Sequence, residues 1–358
     1  MLTVLPLTGI PELAQGDDLV GILLAAAETA GGIRAGDVLV VSSKALSKVA
    51  GLRAPAASRE SVVAAATVRV VAERVTGSGH VTRIVESAAG PVMAAAGVDA
   101  SNVGPADDVL ALPLDADADA AALREELTAR AGLSDGDLAV VVTDTAGRPW
   151  RVGQTDFALG ASGLRVLEDH RGGQDADGRG LAVTARAIAD ELAAAADLVK
   201  GKVDRIPAAL VRGADRWVVP AGQEAGCHDD GAGARSLVRG RGHDWFSHGT
   251  HEAVWAALGL PPGSAAATEV GLVPLGPDPL LPRTIRAVRA AMHGLEEDAA
   301  DGVGLDLGDG TIEISGPDPF VLGRLVARLE VALWAEGLAA ESQTVGATIA
   351  LTLTDLRP

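Results

Sequence analysis

An aspartate and a threonine follow a short run of valines near the middle of the chain, where their side chains could do chemistry. Residues 140–142 are all valine, which is typical of a strand buried on both faces, and Asp144 and Thr145 come soon after. Carboxylate and hydroxyl oxygens are the hard ligands that a divalent cation such as Mg²⁺ prefers. An aspartate that only caps its own turn is the alternative, but the density of polar residues after it favours a site.

Two arginines, Arg148 and Arg151, lie three residues apart in the next segment. Gly147, Pro149 and Gly153 interrupt this segment and predict a loop. A guanidinium can bind a carboxylate or a phosphate through two parallel hydrogen bonds, which makes both arginines candidate catalytic residues. A salt bridge that closes the loop is an equally good interpretation.

Other candidates for binding phosphate lie outside the known glycine-rich motifs. The segment ADLVKGK lacks the first glycine of a Walker A motif, and Val203 replaces the hydroxyl residue that should come next. The segment GVGLDLG has Leu307 in place of the third glycine of a dinucleotide-binding motif. The remaining candidates are the backbone amides of residues 10–13, the Ser43 hydroxyl, and the side chains of Lys48, Lys200 and Lys202.

The net charge of the chain excludes several classes of partner. The chain has 358 residues, of which 48% are hydrophobic and 2% aromatic, and its formal net charge is −18. Such a charge repels nucleic acid and anionic membranes, and the shortage of aromatic side chains leaves few platforms for stacking bases. A small anionic ligand would therefore need a local basic pocket or metal ions.

The single cysteine and the first residues of the chain indicate its compartment. Cys227 excludes an intrachain disulfide and a multi-thiolate zinc site. Its neighbours His228, Asp229 and Asp230 lie in a glycine-rich stretch that predicts a mobile loop rather than a metal site. The first residues carry no basic segment, and no apolar run reaches about 18 residues, so we expect neither a signal peptide nor a transmembrane helix. These features predict a cytoplasmic protein.

Hydropathy periodicity predicts the elements that must position these side chains. The run Asp115, Asp117 and Asp119 lacks the glycine and the distal glutamate of a calcium loop and predicts the start of a helix. Asp190 and Glu191 lie off the apolar stripe of their predicted helix, so they either face solvent or belong to a site. Strands are predicted at residues 38–43, 80–87, 140–142, 206–213, 311–315 and 347–355, and helices at residues 19–30, 61–74, 120–131, 184–199 and 319–336.

Five blocks of the sequence resemble the coenzyme F-420-0:L-glutamate ligases, which attach glutamate to an 8-hydroxy-5-deazaflavin precursor. The blocks are LPLTGIPEL, GDVLVVSSKALSK, AAAGVDASNVG, TDTAGRPWRVGQTD and ADELAAAADLVKGK, in that order, and the resemblance covers about residues 1–245. It implies an α+β (mixed α/β) fold and a GTP-dependent amide ligase that works through an acyl phosphate and releases GDP and phosphate. The implied substrates are coenzyme F-420-0, L-glutamate and GTP.

The resemblance also implies roles for particular residues. Asp99 and Asp144 would bind a first divalent ion and Thr145 a second; the ions would be Mg²⁺ or Mn²⁺, with K⁺ as a further candidate and no flavin. The family forms homodimers, which we expect here as well. The positions that match the GTP contacts of the family are Ile10, Pro11, Glu12, Leu13, Ser43, Lys48 and Asn102.

The sequence departs from the family pattern in three places. The turn LVKGK stands where archaeal members carry a glutamine that helps to hold the second metal, so Lys202 is not assigned to the metal. Ala88 and Ala89 replace larger polar residues. Residues 249–358 are too few for the nitroreductase-like domain of bifunctional relatives, so we expect a ligase domain at residues 1–248 and a small α+β domain of unknown role at residues 249–358. Four leucines on one face of its long helix suit a covering or dimer-stabilising domain: Leu322, Leu325, Leu329 and Leu333.

Two other functions compete with the ligase. One is a non-catalytic deazaflavin-binding or nucleotide-binding protein, which would not need two metal-binding carboxylates. The other is a metal-dependent phosphotransferase or hydrolase, which would release GDP without requiring both an acceptor and an amine.

Overall fold

The chain folds into two compact units, each with helices and sheets. The computed structural model describes residues 1–76, 78–104, 107–223, 233–240, 243–295 and 302–356. The first unit comprises Met1–Val68 and Glu86–His243, and the second comprises Arg69–Val85 and Asp244–Pro358. The α+β fold class is confirmed. The second unit includes a segment that the sequence placed in the first domain, and the predicted loop at residues 227–230 lies outside the described residues.

The described helices and strands are numbered in chain order through both units. The strands are β1 (Thr3–Pro6), β2 (Asp37–Ser42), β3 (Arg53–Pro55), β4 (Thr67–Val75), β5 (Val81–Ser87), β6 (Val92–Ala94), β7 (Asp108–Leu110), β8 (Leu138–Arg148), β9 (Arg151–Ser162), β10 (Leu167–Asp169), β11 (Ala185–Ala187), β12 (Ala208–Arg212), β13 (Gly304–Leu307), β14 (Thr311–Ser315), β15 (Leu338–Val345) and β16 (Thr348–Asp355). The helices are α1 (Leu19–Glu28), α2 (Ser43–Val49), α3 (Arg59–Ala65), α4 (Ala116–Ala131), α5 (Ile188–Asp197), α6 (Thr250–Ala257), α7 (Ala265–Val270), α8 (Leu280–Met292) and α9 (Pro319–Ala335).

A five-stranded sheet in the order β1-β12-β2-β8-β9 forms the centre of the first unit. Alternate residues of its strands pack into two separate cores, so the sheet is buried on both faces, as the valine runs predict. Residues of α1 and α4 fill one core and residues of α5 fill the other. The strand β2 runs parallel to β8, whereas β12 is antiparallel to both β1 and β2.

Three sequence predictions about helices and loops are wrong. The predicted helix at residues 61–74 ends at Ala65 and continues as β4, because β-branched residues fill its second half. The predicted loop after Asp144 is a long hairpin: β8 continues to Arg148 and β9 begins at Arg151, with irregular pairing at two points. The helix predicted from residue 184 begins at Ile188, after the short strand β11.

Two acidic features of the sequence have clear structural roles. Asp115 caps α4 by accepting a hydrogen bond from the Ala118 amide at 3.1 Å, which confirms the predicted helix start. Asp190 does not face solvent: its carboxylate accepts a hydrogen bond from the Ala158 amide at 2.9 Å and so ties α5 to β9. Glu191 pairs with Arg186.

The second unit contains a four-stranded antiparallel sheet in the order β13-β14-β16-β15. The predicted strands at residues 311–315 and 347–355 and the predicted helix at residues 319–336 are confirmed, and the four leucines of α9 are buried. Arg283 of α8 is fully buried and binds the Asp355 carboxylate at 2.6 Å and the Glu336 carbonyl oxygen at 2.8 Å. In the described part of the chain, no helix is both long and apolar enough to cross a membrane.

Substitution of Gly160 in β9 should destabilise the first unit. A Cβ at this position would lie 2.1 Å from the backbone oxygen of Ala116, at the start of α4, so Gly160→Ala must push the helix off the sheet. We expect a loss of about 1–3 kcal/mol in the free energy of unfolding, measured by chemical denaturation. Gly147→Ala in the same hairpin is the control, because no atom lies within 4 Å of the position that its Cβ would take, and equal losses in the two variants would contradict the packing argument.

Candidate active site

The strand directions bring four separate segments of the first unit to one edge of the sheet. The strands β1 and β2 end at this edge, at Pro6 and Ser42, and the antiparallel β12 begins there. Hydrogen bonds from the Leu7 amide to Ala208 and from the Ser42 amide to Pro207 hold the segments together. Because β8 is parallel to β2, it passes this edge at Thr143. Ligand sites in α/β sheets commonly lie at such an edge, beyond the carboxyl ends of the parallel strands.

A cleft of about 680 Å³ opens at this edge. It contains most of the side chains that the sequence singled out, together with several that it did not. The lining residues are Ile10, Pro11, Glu12, Leu13, Ser42, Lys44, Ala45, Lys48, Ala100, Asn102, Val103, Gly104, Asp144, Thr145, Asp156, Asp197, Lys200, Gly201, Lys202, Arg205, Ile206 and Pro207.

The lysines of the protein are concentrated in this cleft. The sequence contains four lysines, and all four line the cleft: Lys44, Lys48, Lys200 and Lys202. Elsewhere the chain uses arginine as its cationic side chain, and its net charge is −18. The cleft is therefore the local basic pocket that an anionic ligand of this acidic protein requires.

Lys44 binds the predicted metal ligand Asp99. Its ammonium lies 2.5 Å from the Asp99 carboxylate and 2.6 Å from the Ser101 hydroxyl, and the Ser101 amide and hydroxyl also donate to Asp99. Burial acts to raise the pKa of Asp99, but the hydrogen bonds from Lys44 and Ser101 prevail and hold that pKa below its usual value. The Asp99 carboxylate is thus ionised and already balanced by a cation.

Lys48 and Asn102 line the same cleft, and Ser43 follows the lining residue Ser42 in the chain. Lys48 is buried and its ammonium forms an ion pair with Glu12. The Ser43 hydroxyl is fully buried, and among the described residues it has no hydrogen-bond partner. Asn102 has a left-handed backbone conformation with φ of 55°, and its side-chain amide donates to the Lys202 carbonyl oxygen at 3.0 Å. That contact joins the segment after Asp99 to the KGK turn.

In the described part of the chain, no lysine forms an ion pair with Asp144. Burial raises its pKa to about 6, the neighbouring charges of Asp156 and Asp99 add to this effect, and the Thr145 amide and Lys44 only partly oppose it. Ionisation of Asp144 is therefore costly unless a further positive charge binds beside it.

A buried network lies beside Asp144 on the hairpin. Asp156 of β9 pairs with Thr145 of β8, and its carboxylate accepts hydrogen bonds from the hydroxyls of Thr145 at 2.7 Å and Thr143 at 2.8 Å. The Lys200 ammonium lies 2.6 Å from the same carboxylate and 2.6 Å from the Thr143 hydroxyl. The Lys200 charge is thus neutralised within the protein. The sequence offered Lys200 as a candidate for binding phosphate, whereas in the structure it binds Asp156.

Most of the predicted site residues line the cleft. Asp99 and Ser43 do not, although Asp99 binds the lining residue Lys44, and the two arginines are also outside the lining. Arg148 and Arg151 face each other at the tip of the hairpin, outside the cleft lining, and neither has an ion-pair partner among the described residues. Their assignment as catalytic residues stays a prediction. Sequence reasoning missed Lys44, Asp156 and Arg205; a count of lysines and the aspartate that ends the GQTD segment were the signals that could have found the first two.

The cleft combines lysines with carboxylates that are partly or fully removed from water. This combination is typical of an enzyme site for anionic substrates. The comparison with known families agrees with this class. The family model described as F420-0:Gamma-glutamyl ligase matches residues 9–213. The chain belongs to this family, and the matched range contains every residue that lines the cleft.

Individual relatives support the same assignment. The coenzyme F420:L-glutamate ligase of Haloarcula marismortui is 36% identical over 234 residues, which is 60% of this chain and 88% of that protein. The enzyme of the same name from Methanothermobacter thermautotrophicus is 35% identical over 237 residues, 59% of this chain and 89% of the relative. The one from Natronomonas pharaonis is 38% identical over 231 residues, with 58% and 85% coverage.

Removal of the Asp144 charge should stabilise the metal-free protein at alkaline pH. The pKa of Asp144 is raised to about 6 in the folded protein, so the folded state holds this proton more tightly than the unfolded state does. The resulting contribution to the free energy of unfolding is lost as the pH rises through about 6. Asp144→Asn should therefore raise the free energy of unfolding by up to about 3 kcal/mol at pH 8, and the gain should shrink at pH 5.5. Unfolding measured with EDTA present at both pH values tests this.

The control for this measurement is Asp107→Asn, which removes one negative charge from an exposed position. Its effect on unfolding should be small and similar at the two pH values. An Asp144→Asn protein that is less stable than the wild type at pH 8 would show that burial does not raise the pKa of Asp144.

Proposed function

We propose that the protein ligates L-glutamate to coenzyme F420-0 with GTP as the energy source. The observation that carries the proposal is the cleft in which all four lysines of an acidic chain surround a desolvated aspartate. The relatives that match the same region are named coenzyme F420:L-glutamate ligases. The substrates of such a reaction are anionic, and a cleft of this volume is within the range of small-molecule sites.

Amide formation from a carboxylate needs activation, because a carboxylate and an amine do not condense usefully in water. In our proposal the terminal phosphoryl group of GTP is transferred to the carboxylate of F420-0, and GDP leaves. The glutamate amine then attacks the acyl phosphate, its N–H proton is lost, the amide bond forms and phosphate is released. Catalysis of phosphoryl transfer consists mainly of positioning and of neutralising charge on phosphate oxygens, which the cleft lysines could supply.

The residues present fit a divalent ion such as Mg²⁺ or Mn²⁺. Magnesium in enzyme sites is commonly bound by one or two carboxylates together with substrate phosphates, and Asp144 and Asp99 are such carboxylates. The raised pKa of Asp144 indicates that the positive charge around its carboxylate does not offset the cost of burial. Thr145 would supply a hydroxyl oxygen to a second ion. When bound, these ions would neutralise phosphate charge; Lys44, Lys48 and Lys202 would act alongside them on the anionic groups of the substrates.

We further propose a homodimer in the cytoplasm, with a second unit that covers or stabilises the assembly and carries no flavin and no second active site. The buried leucines of α9 give this unit a core of its own. Purified protein that carries stoichiometric flavin, or that reduces the deazaflavin precursor, would refute this part of the proposal.

The reaction should require all three substrates together. With Mg²⁺ or Mn²⁺, rapid release of GDP should depend on both F420-0 and glutamate, and mass spectrometry should show products heavier by whole glutamyl residues. GDP release with neither or only one of them would instead indicate a hydrolase or a phosphotransferase. A protein that binds F420-0 or GTP without turnover would favour the non-catalytic alternative.

Lys48→Met should raise the KM for GTP more than the KM for glutamate. The substitution removes a buried cation near the predicted GTP segment and leaves the Glu12 carboxylate unbalanced, which repels phosphate. Steady-state kinetics with each substrate varied in turn measures the difference. Arg239→Met removes an exposed cation outside the cleft lining and serves as the control. Equal effects of Lys48→Met on both KM values would argue for a general structural role.

A further inference from the structure

We propose that Asp156 is a positioning residue of the cleft: held by Lys200, it accepts the hydrogen bond that the Thr145 hydroxyl donates and leaves only the lone pairs of that hydroxyl to face a cation. The inference deepens the proposed function and rests on it, since Thr145 is there the ligand of a second divalent ion. It gives a role to a buried ion pair that is not itself assigned to substrate or metal.

The contacts of Asp156 occupy both of its carboxylate oxygens. Thr145 Oγ1 lies 2.7 Å from Oδ1, whereas Thr143 Oγ1 at 2.8 Å and Lys200 Nζ at 2.6 Å share Oδ2. The side chains of Asp156 and Lys200 are each only 5% exposed. The ion pair is therefore shielded from water, and its geometry is fixed by two strands of the hairpin and by the turn after α5.

The direction of each hydrogen bond is set by chemistry. An ionised carboxylate and an ammonium leave no choice: the carboxylate accepts and the ammonium donates. A hydroxyl has one proton and two lone pairs. Because Thr145 donates its only hydroxyl hydrogen bond to Asp156, it cannot donate to a phosphate oxygen in the cleft. Thr145 lines the cleft, and there it can act only as an acceptor, which is the property of a ligand for a hard cation.

A purely structural role is the alternative, but the composition of the network argues against it. Burying an ion pair costs desolvation of both charges, and apolar residues of similar volume often stabilise a fold as well or better. Stability alone therefore gives little reason to place Asp156 and Lys200 here. Groups behind metal ligands that fix the orientation of those ligands are a known requirement of metal sites.

Asp156→Asn tests the inference because it should reverse one hydrogen bond and preserve the shape of the side chain. Lys200 and Thr143 both require an acceptor at the position of Oδ2, so the amide oxygen should lie there. The amide NH₂ then takes the position of Oδ1 and donates to Thr145. The Thr145 hydroxyl would have to turn its own proton away from residue 156, and its value as a cation ligand would fall.

The experiment is an Mn²⁺ titration of the full-length protein without substrates, in which the EPR signal of the free ion reports binding. We expect Asp156→Asn to bind the Mn²⁺ ion that Thr145 holds about tenfold less tightly or to lose that ion, and Thr145→Val to behave alike. Thr145→Ser keeps the hydroxyl and should bind as the wild type does. The matched control is Thr143→Val, which removes a fully buried partner of the same carboxylate and should leave Mn²⁺ binding unchanged.

Three results would overturn the inference: wild-type binding by Asp156→Asn, an equal loss in Thr143→Val, or a wild-type protein that binds no Mn²⁺. If Asp156→Asn unfolds because the Lys200 charge is left without a carboxylate, the double variant Asp156→Leu/Lys200→Met removes both charges together with the acceptor of the Thr145 hydroxyl, and Mn²⁺ binding should weaken in the same way. Ligation is measured separately. Wild-type protein that binds Mn²⁺ in the expected pattern and fails to ligate glutamate would refute the proposed function and leave the role of Asp156 supported.

Discussion

Buried negative charge at one edge of the five-stranded sheet is the constraint on which the first unit depends. The charges of Asp99 and Asp156 both act on Asp144, and together with burial they make its ionisation more costly. Lys44 balances Asp99 and Lys200 balances Asp156, but among the described residues Asp144 has no such partner, and its pKa rises to about 6. The balance of charge in the cleft is incomplete in the protein alone, which is the condition that favours uptake of a cation.

The sheet creates this constraint by its topology. Since β12 runs antiparallel to its neighbours, the turn that carries Lys200 and Lys202 returns to the same edge at which β1 and β2 end. The hairpin β8–β9 then extends past that edge and carries Asp144, Thr145 and Asp156 over the cleft. Secondary structure thus gathers groups that are far apart in sequence, and apolar packing on both faces of the sheet holds the edge rigid.

The chain extends well beyond the region that it shares with its family. The family model ends at residue 213, and much of the chain after that point belongs to a unit with its own sheet, its own core and a pair of buried arginines, Arg283 and Arg286. Because every residue that lines the cleft lies within the matched range, the chemistry of the site and the role of the second unit are separate questions.

The sequence by itself determined the elements with strong local signals: the β-branched run of β8, the acidic start of α4 and the leucine stripe of α9. It also made Asp144, Thr145 and Lys48 candidate site residues, because they lie in blocks of matching residues, and all three line the cleft. Tertiary structure decided which charges are compensated. Lys200 was a plausible phosphate ligand until its position beside Asp156 showed that a buried carboxylate neutralises it, and Lys44 gained importance only through its contact with Asp99. The charge pair Asp156–Lys200 joins residues that are 44 positions apart in the chain, and Lys44–Asp99 joins residues 55 apart; local patterns carry no information about the distance between such residues.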